Sequence, residues 1–282
     1  MKIIEPKVKI LIPEFNGHIA HVAKCARICT NRDRGDDFKT YNNLIKLEHL
    51  SMLRHESHYY IIPYNSEIGK EIINKHAENP YIAFRVFHNY VFMSTNGQFL
   101  YEHPYFEHCI KQYEVDYVQF CNEETGFNLM RYSFLVTTQI SSSRELNRTS
   151  PNNIVERSTR YVYEDGTICR PHWISKEKAE LFNNDNNVDL DEAMNIYLNG
   201  CKRDFEEYKI LIDKYKIHRQ DARGKLPLDT ATKCVYTYNL YEWRHIIDLR
   251  YYGTTGAPHP NVKLIAGMIR EELMEQGYSF RD

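Results

Sequence analysis

Residues 148–161 of the chain read RTSPNNIVERSTRY. Arg148, Arg157 and Arg160 recur within this run, together with Glu156 and Ser158. Guanidinium groups bind phosphate oxygens through paired N–H donors, and a serine hydroxyl with backbone N–H groups can complete such a site. A solvated face of arginine and glutamate is the usual explanation of such a run. The alternative is a site for a small phosphorylated ligand.

Three further segments stand in order around this run. Residues 49–55 read HLSMLRH, residues 222–227 read ARGKLP, and residues 239–250 read NLYEWRHIIDLR. With 148–161 they extend over about 200 residues. We therefore read all four segments together as parts of one pattern.

The four segments resemble the sequence pattern of the flavin-dependent thymidylate synthases. Residues 148–161 are similar to that family's R-H-R-x-x-S-x-N-E-x-S-x-R-Y signature, and residues 49–55 to its H-x-S/T-P-F-E-H segment. Residues 222–227 look like its A-R-x-x-L-P turn, and residues 239–250 look like its N-x-R-E-W-x-H-x-x-x-L-R helix. The resemblance implies an α+β fold with a mixed or antiparallel sheet flanked by long helices, assembled as a homotetramer.

The resemblance also implies an activity, the methylation of dUMP to dTMP. Methylenetetrahydrofolate would donate the carbon, and FAD reduced by NADPH would supply the hydride. Arg250 would be the catalytic residue, because its permanent positive charge can stabilise negative charge that develops on the pyrimidine ring. No cysteine stands in the P-C-H-Q context of the classical, unrelated thymidylate synthases.

Two sets of binding residues follow from the same resemblance. For dUMP it implies Glu145, Arg148, Glu156, Arg157, Ser158, Arg160, Arg223, Leu249 and Arg250. For FAD it implies His49, Ser51, Arg148, Thr149, Ser150, Asn239, Tyr241 and His245. The dUMP sites would lie at subunit interfaces of the homotetramer.

The chain departs from the family pattern mainly on the flavin side. Residues that the family does not have at these positions are Arg54, Thr149, Ser150, Asn153, Val155 and Tyr241. Ser150 and Tyr241 replace arginines, so we expect weaker flavin retention than in the relatives, with Arg54 as a partial substitute. Two alternatives stay open: a related pyrimidine nucleotide C5 hydroxymethylase, and a non-catalytic nucleotide-binding homologue with weakened flavin binding.

Length and charge bear on domain organisation and on the classes of partner. The 282 residues can bury a sizeable core. We expect a single domain over residues 1–282, with an insertion at about 64–128. The net charge of −2 gives no global field that would attract nucleic acid. No apolar stretch approaches the roughly 20 residues of a membrane span.

The cysteines and histidines predict a compartment but no metal. Seven cysteines with irregular spacing are read as buried free thiols, which are typical of a reducing compartment. Neither the cysteines nor the histidines have the spacing of a zinc or metalloprotease motif. Because the first residues also lack the apolar core of a signal peptide, we expect a cytoplasmic protein.

Hydrophobic periodicity outlines the elements around the motifs. It predicts helices at 17–30, 37–54 and 261–276 and strands at 132–138 and 233–238. Ser142 or Ser143 is expected to cap a helix that continues through Arg148 and stops before Pro151. Capping boxes are predicted at residues 189–192, before a long amphipathic helix, and at Asn239 with Glu242, before a helix to Arg250.

Overall fold

The computed structural model describes residues 1–12, 17–149, 153–184 and 191–281. In these ranges lie the strands β1 (Lys2–Ile4), β2 (Lys7–Leu11), β3 (His58–Pro63), β4 (Ile82–Phe87), β5 (Tyr90–Thr95), β6 (Glu114–Val115), β7 (Arg131–Gln139), β8 (Ile154–Glu156), β9 (Thr167–Cys169) and β10 (Ala231–Asn239).

The helices of the same ranges are α1 (His18–Thr30), α2 (Asp37–Lys46), α3 (Glu67–Lys75), α4 (Gly97–Glu102), α5 (Pro104–Ile110), α6 (Tyr117–Asn122), α7 (Glu124–Phe127), α8 (Ile140–Leu146), α9 (Lys176–Asn184), α10 (Glu192–Asp213), α11 (Arg219–Ala222), α12 (Leu240–Ile247) and α13 (Pro260–Glu275). Short 3₁₀ segments occupy Leu50–His55, Lys111–Tyr113 and Arg223–Lys225, and a π-helical turn occupies Asp248–Tyr252.

The central sheet is antiparallel, with the strand order β2-β7-β10-β8. Its two long strands pair along their whole length, from Arg131 opposite Asn239 to Gln139 opposite Ala231. Successive side chains of a strand point to opposite faces, so this pair supplies a core on each side of the sheet. Predicted strands 132–138 and 233–238 are therefore confirmed, each slightly longer than expected.

Helices cover both faces of this sheet. On one face Phe134 and Tyr236 pack with residues of α12 and α13, and Phe134 meets Trp243 edge to face at 4.9 Å. On the other face Val235 packs with Cys25 of α1. This alternation explains why the strand sequences carry apolar residues at both odd and even positions, since both faces are buried.

A second antiparallel sheet, with the strand order β4-β5-β3-β6, comes largely from the 64–128 block. Its core contains Ile62, Ile72, Met93 and Phe106, and α3, α4 and α5 contribute to it. Strand β3 precedes the block, so residues 64–128 share a sheet with the chain before them. That the block is an insertion stays a prediction.

A third unit lies beside the central sheet. Strands β1 and β9 form a parallel pair, and Ile3 and Ile168 pack there with Phe182 of α9 and Leu198 of α10. The fold class is thus α+β with antiparallel sheets and long helices, as expected. None of the helices in the described ranges combines the length and apolar character that a membrane crossing requires.

Two helix predictions near the motifs were wrong in extent. The predicted helix 37–54 ends at Lys46, where Glu48 takes a left-handed φ of 55°, and continues only as the 3₁₀ segment Leu50–His55. Helix α8 starts after Gln139 and ends at Leu146, before Arg148. Ser142 and Ser143 lie inside it, and their hydroxyls donate to Gln139 and Glu156 instead of accepting from the amides of a helix start. Pro151 lies outside the described residues.

The capping predictions are partly confirmed. Asn239 and Glu242 form the expected capping box, with both hydrogen bonds at 3.0 Å. Helix α10 is capped by Asp191, which accepts from the Met194 amide. Asp189 of the predicted box lies outside the described residues. The predicted last helix is α13, and Gly277 closes it with a φ of 97°.

Candidate functional site

Glu156 is held at the edge of the central sheet by hydroxyl groups. It ends β8 and pairs with Cys234 of β10. Its Oε1 accepts hydrogen bonds from Ser143 of α8 at 2.9 Å and from Thr232 of β10 at 3.1 Å. The carboxylate of the 148–161 segment is therefore positioned by two other elements, and it stays only half-buried.

Arg250 lies on the π-helical turn Asp248–Tyr252 that follows α12. Its Nη2 donates to the backbone oxygen of Glu145 at 2.9 Å, which joins the 239–250 segment to α8. Its Nε is buried and has no hydrogen-bond partner within the part of the chain that the structure describes. Turns of π-helix are frequent at functional sites, and this one ends the predicted helix at Ile247 instead of Arg250.

Arg157 points into the protein. Its Nη2 contacts Glu164 at 2.6 Å and also donates to the backbone oxygen of Ala231. Burial raises the pKa of Glu164 to about 7, although the adjacent Arg157 guanidinium opposes that shift. The structure thus places Arg157 in an internal ion pair, apart from the exposed arginines of the same segment.

Arg160 and Arg223 are both exposed, and they link two distant segments. Arg160 donates to Gln220 at 3.5 Å, while Arg223 donates to the hydroxyl of Thr159 at 3.4 Å. Ser158 is half-buried beside them, and its amide donates to the Cys29 backbone oxygen at 2.9 Å. Long hydrogen bonds of this kind are weak, so both guanidinium groups keep donors for a ligand.

Two other predicted dUMP residues flank these groups. Arg148 is exposed in the turn after α8, and Leu249 is half-buried next to Arg250. The structure therefore brings Glu145, Leu249 and Arg250 together at α8, and brings Ser158, Arg160 and Arg223 together at the end of β8.

A buried hydrogen bond joins the end of the first predicted flavin segment to β10, two residues before the second segment begins. His55 ends the 3₁₀ segment Leu50–His55, and its Nδ1 lies 2.8 Å from the hydroxyl of Thr237 in β10, just before α12. Ser51 is exposed on the same 3₁₀ segment, and His49 is exposed immediately before it. Segments 49–55 and 239–250 are thus neighbours in space.

The members of the predicted flavin set differ in accessibility. Tyr241 and His245 are exposed on α12, four residues apart and hence on one face. Asn239 uses its side chain as the helix cap, and buried Thr149 donates its hydroxyl to the Leu146 backbone oxygen at 2.5 Å. Ser150 lies outside the described residues.

Two residues at these places were not predicted from the sequence. Glu164 binds Arg157, and Arg85 of β4 lies over the ring of Tyr241 at 5.2 Å. Neither residue belongs to a motif. Arg85 is distant in sequence from Tyr241, and Glu164 lies in an irregular loop. No local sequence signal indicated them.

A cavity of about 600 Å³ separates the second sheet from the start of β7 and α1. His58 lies in its wall between two carboxylates, at 2.9 Å from Glu56 and 2.8 Å from Glu114. Among the described residues, none of those predicted for dUMP or FAD lines this cavity. Burial by itself lowers the pKa of His58, but the hydrogen bonds to Glu114 and Glu56 outweigh it and raise that pKa to about 9.

This His58 cluster predicts a pH dependence of stability. A histidine pKa raised above its unfolded value of about 6.5 contributes stability that is complete below that pH and is lost as the pH rises through 9. We expect the free energy of unfolding to fall by roughly 1–3 kcal/mol across this window. Urea unfolding at several pH values measures it. The fall should be absent from His58→Gln and present in His108→Gln, an exposed control on α5.

One family model covers the larger part of the chain. The model described as thymidylate synthase complementing protein matches residues 105–276, more than half of the chain. The matched range contains residues 148–161, 222–227 and 239–250, whereas residues 49–55 precede it. No curated protein matches the chain.

Solved structures show only distant similarity. A UMP/dUMP methylase, PolB from Streptomyces cacaoi bound with 5-Br dUMP, is 16% identical, with 98% of this chain and 93% of that chain covered and a TM-score of 0.45. Its complex with 5-Br UMP gives 15% identity, coverage of 98% and 92%, and a TM-score of 0.43. Thymidylate Synthase X from Helicobacter pylori, with FAD and dUMP, is 14% identical over 50% of this chain and 66% of that chain, with a TM-score of 0.36. Because these scores are below 0.5, the sequence match is the stronger finding.

Proposed function

The chain belongs to the family of the thymidylate synthase complementing protein, the flavin-dependent thymidylate synthases, and from this premise we propose that it methylates dUMP to dTMP. The carbon donor would be methylenetetrahydrofolate, and NADPH would reduce the FAD. The observation that supports this best is the pair of exposed arginines, Arg160 and Arg223, which hydrogen bonds to Gln220 and Thr159 bring to one place.

The dUMP residues divide by chemistry. Arg160, Arg223 and Ser158 would bind the phosphate, because their free donors suit phosphate oxygens. Arg250, fixed through its contact with α8, would face the pyrimidine and stabilise negative charge that develops on the ring. Glu145 and Glu156 would accept hydrogen bonds from the sugar or base. Arg157 would serve indirectly, since its guanidinium is bound to Glu164.

The residues on the flavin side fit a flavin in part. Four exposed residues on two adjoining segments would hold it, namely His49, Ser51, Tyr241 and His245. Arg148, which directly precedes Thr149, would join them. When bound and reduced by NADPH, the flavin would supply the hydride that completes the methyl group. Thr149 is turned inward, which agrees with the expectation of weak flavin retention.

That inward turn favours one alternative, a nucleotide-binding homologue with weakened flavin binding. The hydroxymethylase alternative uses the same nucleotide residues and differs only in the product. We further propose a homotetramer with interfacial sites and a cytoplasmic location. All seven cysteines are free thiols, which suits a reducing compartment, although Cys29, Cys109 and Cys121 are only half-buried, contrary to expectation.

An anaerobic single turnover tests the proposed reaction. Purified protein is loaded with FAD, reduced, and mixed with dUMP and methylenetetrahydrofolate, and the nucleotide product is identified by mass. We expect dTMP. A hydroxymethylated nucleotide would favour the second enzyme, and nucleotide binding without any product would favour the non-catalytic homologue.

The phosphate assignment gives a separate prediction. Arg160→Ala should weaken dUMP binding by roughly 1.5–3 kcal/mol, the scale of a hydrogen bond to a charged group. Uridine, which has no phosphate, should lose far less. Titration calorimetry with both ligands measures the difference, and Arg203→Ala, an exposed arginine on α10, is the matched control. Equal losses for dUMP and uridine would show that Arg160 does not contact the phosphate.

A further inference from the structure

Arg85 contacts the predicted flavin helix from a different sheet. It lies on β4, the edge strand of the second sheet, and its side chain is exposed. The guanidinium carbon lies 5.2 Å from the centre of the Tyr241 ring on α12. Against the described residues this guanidinium makes no hydrogen bond and no ion pair, so the aromatic contact alone orients it.

The stacking leaves the donors of Arg85 free. A guanidinium that lies over an aromatic ring uses its π face for the contact, while its N–H groups point outward in the plane. Those donors match the oxygens of a phosphate. His245 is exposed one helical turn beyond Tyr241 and presents a second nitrogen donor on the same face.

The support beneath this pair is rigid. The capping box of Asn239 and Glu242 fixes the first turn of α12, and Trp243 anchors the helix in the core with 1% exposure. A binding group on such an element is held more precisely than one on a loop. Tyr241 therefore acts as a fixed platform that determines where the Arg85 charge stands.

We propose that Arg85, positioned by Tyr241, binds a phosphate of the dinucleotide cofactor at α12, with His245 as its neighbour. This rests on the proposed function, which assigns the exposed face of α12 to FAD. It gives the 64–128 block a role in the site. The family pattern has an arginine at the position of Tyr241. Arg85, which is distant along the chain, would supply a guanidinium at that place instead.

Flavin titration followed by fluorescence quenching tests this assignment without turnover. Arg85→Ala should weaken FAD binding by about 10- to 100-fold, the effect of one charge-assisted contact. Riboflavin, which has no phosphate, should bind with nearly unchanged affinity. Arg203→Ala is the matched control for loss of an exposed arginine, and circular dichroism checks that each variant is folded.

A second variant tests the position of the charge. In Arg85→Ala combined with Tyr241→Arg, the guanidinium comes from α12 itself, so FAD affinity should recover most of the loss. Tyr241→Phe keeps the aromatic platform and should leave FAD affinity close to that of the wild type.

Three results would overturn the assignment. They are an unchanged FAD affinity in Arg85→Ala, an equal loss for FAD and riboflavin, and a wild type that binds neither FAD nor ADP. Calorimetry with dUMP runs in parallel on the same proteins. If dUMP still binds, and if this binding depends on Arg160, the proposed nucleotide site is supported. The assignment of a cofactor phosphate to Arg85 would then fail on its own.

Discussion

Replacing Arg250 with alanine is expected to lower the rate of dUMP methylation about 100- to 1,000-fold, the cost of removing one donor that stabilises developing charge. The structure holds this side chain by a hydrogen bond from Nη2 to the Glu145 backbone oxygen, with a buried Nε. A half-buried guanidinium that a hydrogen bond already orients needs little reorganisation during the reaction, which is why its loss should affect the rate more than substrate binding.

Arg250→Lys separates charge from shape. Lysine keeps the positive charge but loses the planar array of donors, so the rate should still fall at least tenfold. Single-turnover rates at saturating dUMP measure the effect, and thermal unfolding checks the fold. Wild-type rates in Arg250→Lys would exclude this guanidinium from activation of the ring. An unchanged rate at saturating dUMP together with weaker dUMP binding would assign Arg250 to binding alone.

The substitution Gly97→Ala should produce a large loss of stability, about 3–4 kcal/mol, because it combines overpacking with the displacement of a buried charge. A Cβ at Gly97 would lie 2.1 Å from Oε2 of Glu56, a carboxylate with 4% exposure. Glu56 cannot move aside without cost, since Tyr41 donates to it at 2.7 Å and His58 binds it at 2.9 Å.

Gly200→Ala is the matched control for this prediction. Gly200 lies within α10, and a Cβ there would meet nothing within 4 Å. Alanine should therefore stabilise the protein by up to about 1 kcal/mol, through helix propensity and a less flexible unfolded chain. Denaturant unfolding of both variants measures the contrast. A loss below about 1 kcal/mol in Gly97→Ala would mean that the Glu56 cluster tolerates rearrangement.

Local features of this protein could be predicted from the sequence. The capping box at Asn239 and Glu242 needs only residues three apart, and the strands β7 and β10 follow from apolar residues within one short window. Motif spacing over residues 148–161 and 222–250 identified the family, and the family match confirms it. These signals are local because the atoms that interact lie within a few residues of one another.

The extent of helices near the motifs was harder to predict. The helical periodicity of apolar residues continues through 37–54, and a helix was predicted through Arg148. Both helices end earlier, at Lys46 and at Leu146. After Lys46, Glu48 takes the left-handed conformation, and His55 is buried in a hydrogen bond with Thr237. Contacts that are remote in sequence override a helical preference that is worth only tenths of a kcal/mol per residue.

The family, the α+β class and the set of charged residues available for a nucleotide can all be derived from the order of the amino acids. Which of those charged residues face outward depends on the fold. Arg157 and Arg160 are three residues apart, yet one pairs with buried Glu164 and the other stays exposed beside Gln220. Arg85 meets Tyr241 across 156 residues of chain. A side chain's direction depends on the partners that the fold brings to it, because a buried charge must be paired whereas an exposed one keeps its donors for a ligand.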